Sequence, residues 1–574
     1  MKGKMTILVL AFVLAASFVS AQDQSAKTAP GATTGTPQYG GTLTVAPLKV
    51  NQEPTSWNQA DGDWAIPTYS APYGEHLLAG DVEKYGPRGT NEMSFMLRMG
   101  LSGQDKYLKG ELAESWELSA NPIAVIFHLR HGIMFAANPN IGFKPREFTA
   151  YDAAYCLNAV RKSFRGQTEM LFMSLGGAEA LDKYTVRVKF DYYDYDWPLK
   201  IGWGYFSKMY GPEVDKSAAP ADWKNQIGTG PFIITDYVKG SYASYKKNPD
   251  WWDKQKTING KKYDTPFIDK LVMPIIVDES TLIAAVRTGK IDWATYIKLN
   301  YQQTLAKTCP DLVMKEVPAA EGLAVRFNCS TGALANKAVR QALTMGADKE
   351  ALIKAVYLKG NQNSNPYNAG LPTTVYTPIK DLPTVDQALF TYNPEKAKQM
   401  LADAGYPHGF DLQIDYGTDR VAAGQTAAIL QDMWSKLGIN VKLQPHDQAD
   451  LYNLEDHGKY AVAIRSENNT SPSVNISFRF GQSWRPFGTD TEFQTMAKQA
   501  LGEKNGEKRN ALLKQLGIKV IDYADSIGVY PNLLTCYWPW VKNYYGEVDS
   551  GHDNIAGMLP TLWLDQPLKK KMGF

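Results

Sequence analysis

The sequence predicts an α/β fold spread over more than one domain, on the evidence of repeated helix-to-strand units and of chain length. In residues 393–412, Asn393 caps a helix, Pro394 takes its first position, and Gly405 ends it before a strand of alternating apolar residues. The same order recurs over residues 430–443. At 574 residues the chain exceeds what one hydrophobic core usually supports, so two or three domains are expected.

The first half of the chain mixes its elements differently. Thr149 is placed to cap a helix, and residues 184–190 alternate between apolar and polar as a strand does. Gly228, Gly230 and Pro231 mark a sharp turn into a further strand. This pattern indicates that α+β and α/β domains share the chain.

The N-terminus has the pattern of a secretory signal peptide. Lys2 and Lys4 precede an apolar stretch over residues 7–19, and small residues favour cleavage after Ala21. An uncleaved anchor is the alternative; no cysteine follows the cleavage point to carry a lipid. Residues 22–38 are small, polar and rich in Pro and Gly, which predicts a flexible leader. We therefore expect residues 1–21 to be removed and the protein to be periplasmic or otherwise extracytoplasmic.

Charge and motif content argue against several functions. The chain carries 61 basic and 59 acidic residues, so it offers no overall attraction for nucleic acid or for an anionic membrane. There is no GxSxG or HExxH motif, and no Cys or His spacing typical of a metal site. We expect no enzyme activity, no metal and no cofactor, with a secreted hydrolase as the alternative from another class. The sequence leaves open whether Cys309 and Cys329 form a disulfide.

Several stretches, in their order along the chain, resemble family 5 extracellular solute-binding proteins, the oligopeptide, dipeptide and nickel receptors of ABC importers. The resemblance begins at residue 39 and continues almost to the C-terminus. The stretches that carry it are LAESWELS (112–119), FHLRHGIMF (127–135), FTAYDAAYCLNAV (148–160), IGTGPFIITDYVKGSYASYKKNPDWWD (227–253), IDKLVMPIIVDESTLIAAVRTGKIDW (268–293) and VRQALTMGADKEALIKAVYLKG (339–360).

The resemblance implies an α/β, two-lobed periplasmic-binding-protein (Venus-flytrap) fold with an inserted α+β subdomain in the first lobe. The protein would capture an oligopeptide in the cleft between the lobes by hinge closure and deliver it to the membrane permease, as a monomer. The alternatives are an oligosaccharide receptor of the same family and then a nickel or metallophore receptor. Projected onto this chain, the first lobe comprises residues 39–75, 200–299 and 516–574, the inserted subdomain residues 76–199, and the second lobe residues 300–515.

In peptide-binding relatives, an Asp in the second lobe pairs with the amino terminus of the ligand. The matching stretch here, residues 459–473, contains no Asp, and Glu467 is the acid that would replace it. The neighbouring polar residues and four aromatic residues are the other candidates for ligand binding. The full set is Trp64, Tyr69, Trp203, Arg465, Ser466, Glu467, Asn468, Asn469 and Trp484.

Overall fold

The computed structural model describes fourteen segments of the chain. They are residues 35–47, 53–61, 65–86, 89–90, 105–163, 166–204, 207–319, 321–360, 366–367, 373–418, 421–468, 472–480, 485–546 and 557–574.

Strands are distributed over the whole described length. In chain order they are β1 (Thr42–Ala46), β2 (Leu78–Gly80), β3 (Leu108–Gly110), β4 (Ala113–Ala120), β5 (Ile123–Leu129), β6 (Met173–Ala180), β7 (Thr185–Phe190), β8 (Phe232–Val238), β9 (Tyr242–Lys247), β10 (Gln255–Ile258), β11 (Lys261–Asp264), β12 (Lys270–Pro274), β13 (Trp293–Lys298), β14 (Val313–Pro318), β15 (Glu321–Phe327), β16 (Asp411–Gly417), β17 (Asn440–His446), β18 (Val462–Asn468), β19 (Ser526–Val529), β20 (Asn532–Tyr537), β21 (Val541–Lys542) and β22 (Trp563–Leu564).

The longer helices concentrate in the second half. The α-helices are Ile66–Ser70, Val82–Tyr85, Ala150–Lys162, Gly166–Glu169, Glu213–Lys216, Glu279–Arg287, Gln302–Thr308, Lys337–Met345, Lys349–Tyr357, Thr384–Gln387, Pro394–Asp403, Val421–Ser435, Gln448–Asp456, Pro472–Ser477, Thr491–Gly502, Gly506–Tyr523 and Gln566–Lys571, and a π-helix spans Pro198–Gly202.

The first lobe is built on a seven-stranded sheet of order β14-β20-β13-β1-β12-β9-β8. β1 pairs in parallel with both β12 and β13, while β20 runs antiparallel between β13 and β14. Leu43 and Trp293 are fully buried in its core. Because β20 lies inside the sheet, residues near the C-terminus complete a lobe that begins near the N-terminus.

The inserted subdomain is a four-stranded antiparallel sheet of order β4-β5-β7-β6. The helix Ala150–Lys162 packs on β6 and β7, and it begins directly after Thr149, as predicted. Thr149 and Asp152 form a capping box at its first turn, in which the backbone N–H of Thr149 donates to Oδ2 of Asp152 at 2.8 Å. The apolar face of this helix and the sheet share one buried core.

A buried carboxyl lies at the border between this subdomain and the first lobe. Glu75 accepts hydrogen bonds from the indole Nε1–H groups of Trp251 and Trp252, each at 2.9 Å. Burial, and after it the charge of Glu111, raises the pKa of Glu75 to about 8. Glu75 is therefore protonated in the folded protein at pH values where it would be ionised in the unfolded chain.

This proton makes stability depend on pH. The unfolded chain releases it near pH 4.5 and the folded chain at about pH 8, so the unfolding free energy should fall as pH rises between those values, by up to about 1.4 kcal/mol per pH unit. Urea unfolding followed by tryptophan fluorescence at several pH values measures this slope. Glu75→Gln should flatten it, and parallel slopes for the two proteins would contradict the assignment.

The second lobe is built on a five-stranded sheet of order β17-β16-β18-β15-β19, in which β16, β17 and β18 are parallel. The helix Pro394–Asp403 begins as predicted, with the side chain of Asn393 accepting from the backbone N–H of Lys396 at 3.0 Å. Trp434, on the helix Val421–Ser435, is fully buried, and its indole N–H donates to the carbonyl of Leu343 at 3.0 Å.

The chain passes between the two sheets twice, and the two passages lie side by side. β14 continues into β15 and β19 continues into β20, with Ala319 donating to the carbonyl of Pro531 at 2.9 Å. We call these adjacent passages, residues 318, 319 and 321 on one strand and 529–532 on the other, the hinge. The fold is thus two-lobed with an inserted subdomain, as the sequence predicted, while the segment boundaries projected from the family remain predictions.

Tyr530 fills the centre of the hinge. A Cβ atom placed on Gly528 would lie 2.5 Å from Cε2 of Tyr530 and 3.3 Å from two more atoms of its ring, so only glycine fits there. A Cβ on Gly322, on the other hinge strand, would come equally close to the ring. The ring and the glycines together determine how closely the two strands approach each other.

Gly528→Ala should therefore cost about 1 to 3 kcal/mol of stability through overpacking. In a Tyr530→Ala background the same substitution should cost far less, because the three atoms nearest to the added Cβ all belong to the ring. Chemical denaturation of the double-mutant cycle measures this coupling. Gly502→Ala, where a Cβ would meet no atom within 4 Å, is the matched control, and equal costs in both backgrounds would contradict the steric account.

Candidate ligand-binding cleft

Both lobes turn the carboxyl ends of their parallel strands toward the hinge. In the first lobe, β1, β12 and β13 run in the same direction as β14, whose end at Pro318 enters the hinge. In the second lobe, the last residue of β18, Asn468, pairs with the first residue of β15, Glu321, and β16 and β17 run parallel to β18. Ligands of open α/β sheets bind beyond the carboxyl ends of the strands, so the space between these edges is the candidate cleft.

On the first-lobe side, β13 is irregular just before it reaches this edge. Its register with β20 shifts between Ala294 and Ile297, and Tyr296 within the shift has a φ of +60°. A positive φ is uncommon for a bulky residue, and bulges often re-aim a side chain beside a binding site. Tyr296 is a candidate for the cleft that sequence reasoning did not find.

Within the second lobe, a cluster of three arginines lies beside β18. Glu455, which has no exposed surface, forms ion pairs with Arg326 and with Arg465, the latter at 2.7 Å. The guanidinium carbon of Arg485 lies 3.8 Å from the ring centroid of Phe478, and that of Arg326 lies 4.1 Å from it on the same ring. We call Arg326, Arg465, Arg485, Glu455 and Phe478 the arginine cluster.

The cluster, with Asp456 3.7 Å from Arg485, brings charges of both signs together in a largely buried setting. Burial acts to raise the pKa of Glu455, but the charges of Arg326 and Arg465 outweigh it and hold that pKa below its ordinary value. Burial, together with the charge of Arg326, lowers the pKa of Arg485 to about 10 although Glu455 opposes the shift. Carboxylates are favoured partners of guanidinium groups held together in this way.

The arginine cluster contains one predicted site residue, Arg465. Its guanidinium is held by Glu455 and lies 4.4 Å from the ring centroid of Tyr452, so the side chain has a structural role there. Ser466 follows it, half-buried, on β18. For Glu467 and Asn468 the structure describes the backbone alone, at the hinge end of β18.

Two predicted aromatic residues are packing residues of the first lobe. Tyr69 is 4% exposed, its ring centroid lies 5.9 Å from that of Trp57, and burial raises its pKa. Trp203 is half-buried against the core of the inserted subdomain. The remaining three, Trp64, Asn469 and Trp484, lie outside the described residues. As ligand contacts, all nine candidates remain predictions.

Sequence reasoning missed the partners of Arg465, although Glu455 gave a signal. Leu451 and Glu455 are four residues apart on the helix Gln448–Asp456 and both are buried. An acidic residue on the apolar face of a helix implies a buried partner of opposite charge. Arg326 and Arg485, distant in sequence, could not be identified as those partners from spacing alone.

Metal-binding clusters, disulfides and membrane-spanning helices are absent from the described residues. Nowhere in the described ranges do three or more His, Cys, Asp or Glu side chains form a group suited to a metal ion. All four cysteines are free, and Cys309 and Cys329 belong to the cores of different lobes, so the pair that the sequence left open is not bonded. Within the same ranges no helix is both long and apolar enough to cross a membrane.

Two lobes, a two-strand hinge and facing strand ends define the class of two-lobed solute-binding proteins. The model for "Bacterial extracellular solute-binding proteins, family 5 Middle" matches residues 108–486. The chain belongs to family 5 of the bacterial extracellular solute-binding proteins, which are substrate-binding components of ABC importers and not enzymes.

Individual relatives agree with this placement. Heme-binding protein A of Haemophilus influenzae is 28% identical over 486 residues, covering 78% of this chain and 83% of that protein. Di/tripeptide-binding protein 1 of Pseudomonas aeruginosa is 26% identical over 457 residues, covering 72% and 78%. The structure of periplasmic binding protein DppA from Helicobacter pylori in complex with peptide STSA shares the fold, with a TM-score of 0.69, 21% identity and coverage of 92% and 99%.

Proposed function

We propose that this protein captures a short peptide outside the cytoplasmic membrane and delivers it to the permease of an ABC importer. The observation that carries the proposal is the pair of facing strand edges at the hinge, in a chain whose relatives include a di/tripeptide-binding protein. Closure of such a cleft removes the ligand from water, which strengthens each hydrogen bond to it. The protein would act as a monomer after removal of residues 1–21.

The arginine cluster supports a ligand that carries a carboxylate. Three guanidinium groups lie together here beside Glu455 and, at 3.7 Å from Arg485, Asp456, and guanidinium groups recognise carboxylates through paired, charge-assisted hydrogen bonds. A peptide supplies one at its C-terminus, while its main chain supplies donors and acceptors for binding in extended form. Glu467, at the hinge end of β18, is the proposed partner for the amino terminus, and Ser466, Asn468 and Asn469 would contribute polar contacts.

A second candidate ligand is haem, favoured by the 28% identity to a protein named heme-binding protein A. Haem carries two propionate groups, so the arginine cluster suits it on the same electrostatic grounds. The two candidates differ in what else they need, since an extended peptide is held by its backbone and a porphyrin by broad apolar and aromatic surfaces.

Native mass spectrometry of the freshly purified protein is the first test, because a closed cleft retains its cargo. Adduct masses of short peptides are expected; a porphyrin mass would replace the peptide by haem, and masses spaced by hexoses would replace it by an oligosaccharide. The same spectrum gives the oligomeric state and shows whether residues 1–21 are absent.

Titration calorimetry then tests the role of the carboxylate. Peptides of two to five residues should bind saturably and raise the melting temperature. The same peptides with a C-terminal amide should bind about tenfold to a hundredfold more weakly, because a charge-assisted hydrogen bond is lost. Equal affinity for peptides with a C-terminal carboxylate and with a C-terminal amide would show that the arginine cluster does not bind the C-terminus.

A further inference from the structure

A loop of the inserted subdomain reaches into the second lobe. Residues 191–197, of sequence DYYDYDW, connect β7 to the π-helix Pro198–Gly202. The end nearest the π-helix is anchored in the core of the subdomain, where the ring of Trp197 lies 5.9 Å from that of Phe127 and 6.4 Å from that of Phe190. Tyr193, earlier in the loop, packs against this core and against a core cluster of the second lobe as well.

Tyr195 is buried in the other lobe. It is 2% exposed and belongs to a core cluster whose remaining fully buried members all come from the second lobe, among them Phe493 and Leu513. Its backbone N–H donates to the carbonyl of Leu501 at 3.3 Å, and the guanidinium carbon of Arg509 lies 4.6 Å from its ring centroid. An aromatic ring of the first lobe thus completes the core of the second.

Charged residues lie on both sides of the contact. The loop carries Asp191, Asp194 and Asp196, of which Asp194 forms an ion pair with Lys200 of its own subdomain, and the surface that receives the loop carries Arg509 and Lys504. The ammonium of Lys504 lies 5.2 Å from the ring centroid of Tyr193. An acidic, tyrosine-rich loop therefore meets a basic site lined with aromatic and aliphatic side chains.

This contact lies far from the hinge. Arg509 is near the start of the helix Gly506–Tyr523, whose far end leads into β19 and the hinge. Fourteen residues of α-helix separate Arg509 from Tyr523, about 21 Å at 1.5 Å per residue. A rotation that separates the lobes at the hinge is amplified over this distance, so the loop contact has to break when the lobes open.

We propose that residues 191–197 form a latch that holds the second lobe against the inserted subdomain and so sets the balance between closed and open lobes. The latch is a non-covalent connection between the lobes. It acts in addition to the two hinge strands and to any bound ligand. Release of cargo then requires Tyr195 to leave the second-lobe core. The latch joins residues of the protein itself, so it does not depend on the identity of the ligand.

Because the hydroxyl of Tyr195 is buried, two substitutions of this residue are expected to shift the balance between open and closed lobes in opposite directions. Among the described residues, this buried oxygen has no hydrogen-bond partner, and burial raises the pKa of the phenol. Closing the latch therefore dehydrates a polar group without compensation. Tyr195→Phe should favour the closed state, whereas Tyr195→Ala, which removes the ring, should favour the open state.

Distances between spin labels on the two sides test the latch in protein that native mass spectrometry shows to be free of cargo. Leu175→Cys in β6 and Val385→Cys in the helix Thr384–Gln387 give label sites that are 70% and 73% exposed, while the four native cysteines are buried. Tyr195→Ala should raise the ratio of open to closed molecules about tenfold, which corresponds to about 1.4 kcal/mol. The open population is recognised by longer distances, and Tyr195→Phe should reduce it.

A surface substitution guards against simple misfolding of the Tyr195→Ala variant. Lys504→Glu places a negative charge against the acidic loop from an exposed position, so it should open the lobes while the circular dichroism spectrum stays unchanged. High salt should reverse this effect. Lys508→Glu makes the same charge change at another exposed position on the next helix and should leave the distances unchanged.

Three outcomes would overturn the latch. Unchanged distances in both Tyr195→Ala and Lys504→Glu would show that the contact does not hold the lobes. Opening by Tyr195→Phe as large as by Tyr195→Ala would show that the ring contact is not the source of the effect. Opening by Lys508→Glu equal to that by Lys504→Glu would reduce the effect to net charge. None of these results depends on whether the cargo is a peptide.

Discussion

Replacing Glu455 with alanine is expected to destabilise the second lobe by about 4 kcal/mol or more. Its carboxylate has no exposed surface and pairs with both Arg326 and Arg465, so its removal leaves two largely buried guanidinium groups without their counter-charge. Breaking a buried pair by removing one partner typically costs about 3 to 5 kcal/mol, and here two pairs are broken. Urea denaturation, followed by a probe in the second lobe, measures the loss.

The neighbouring residue supplies the control. Asp456→Ala removes a carboxylate that is 61% exposed and 3.7 Å from Arg485, and it should change stability by less than about 1 kcal/mol. The pKa of Glu455 lies below its ordinary value, so the stabilisation is present at neutral pH and is lost as pH falls through that pKa. If the Glu455→Ala protein is as stable as the Asp456→Ala protein, the arginine cluster rearranges without loss of unfolding free energy, which would contradict the prediction.

Asp292→Ala should be comparably severe for the first lobe, at about 3 to 5 kcal/mol. Asp292 is 1% exposed and accepts the backbone N–H of Thr44 at 2.8 Å and the indole N–H of Trp540 at 2.7 Å. It also forms a 2.6 Å ion pair with Lys569. Alanine would leave two buried donors without an acceptor, and each such orphan costs about 1 to 3 kcal/mol.

Two further substitutions separate the contribution of the ion pair from that of the two N–H donors. Lys569→Met removes the ion pair alone and should cost clearly less than Asp292→Ala, because the ammonium is partly solvated and the two N–H donors keep their acceptor. Asp311→Ala, at an exposed position in the same lobe, should be nearly silent. Equal losses for Lys569→Met and Asp292→Ala would place the whole effect in the ion pair and contradict the role of the buried donors.

Local elements of this fold could be predicted from the sequence because their signals are local. Asn393 and Pro394 mark a helix start that the structure reproduces, and Thr149 marks another. The alternating residues 184–190 correspond to β7, Thr185–Phe190. Caps, prolines and alternation act within a few residues, so no knowledge of the rest of the chain was needed.

The candidate site was far less accessible to sequence reasoning. Arg465 was singled out by resemblance, yet its partner Glu455 and the neighbouring Arg326 and Arg485 come together through strand pairing and loop packing. Tyr69 was chosen because it lies in a loop-like segment, but its ring is buried in the first lobe. Contacts between distant residues depend on tertiary arrangement, which neither spacing nor periodicity encodes.

The position of β20 has a consequence for biosynthesis. This strand, Asn532–Tyr537, lies between β13 and β14, so β14 joins the sheet of the first lobe only through it. The sheet of the first lobe therefore lacks an interior strand until residues 532–537 have been translated, whereas the second sheet consists of β15 to β19, which all precede β20. Pairings of such long sequence separation form slowly. A nascent chain of this design stays incompletely folded late into synthesis, which suits export through a membrane before folding.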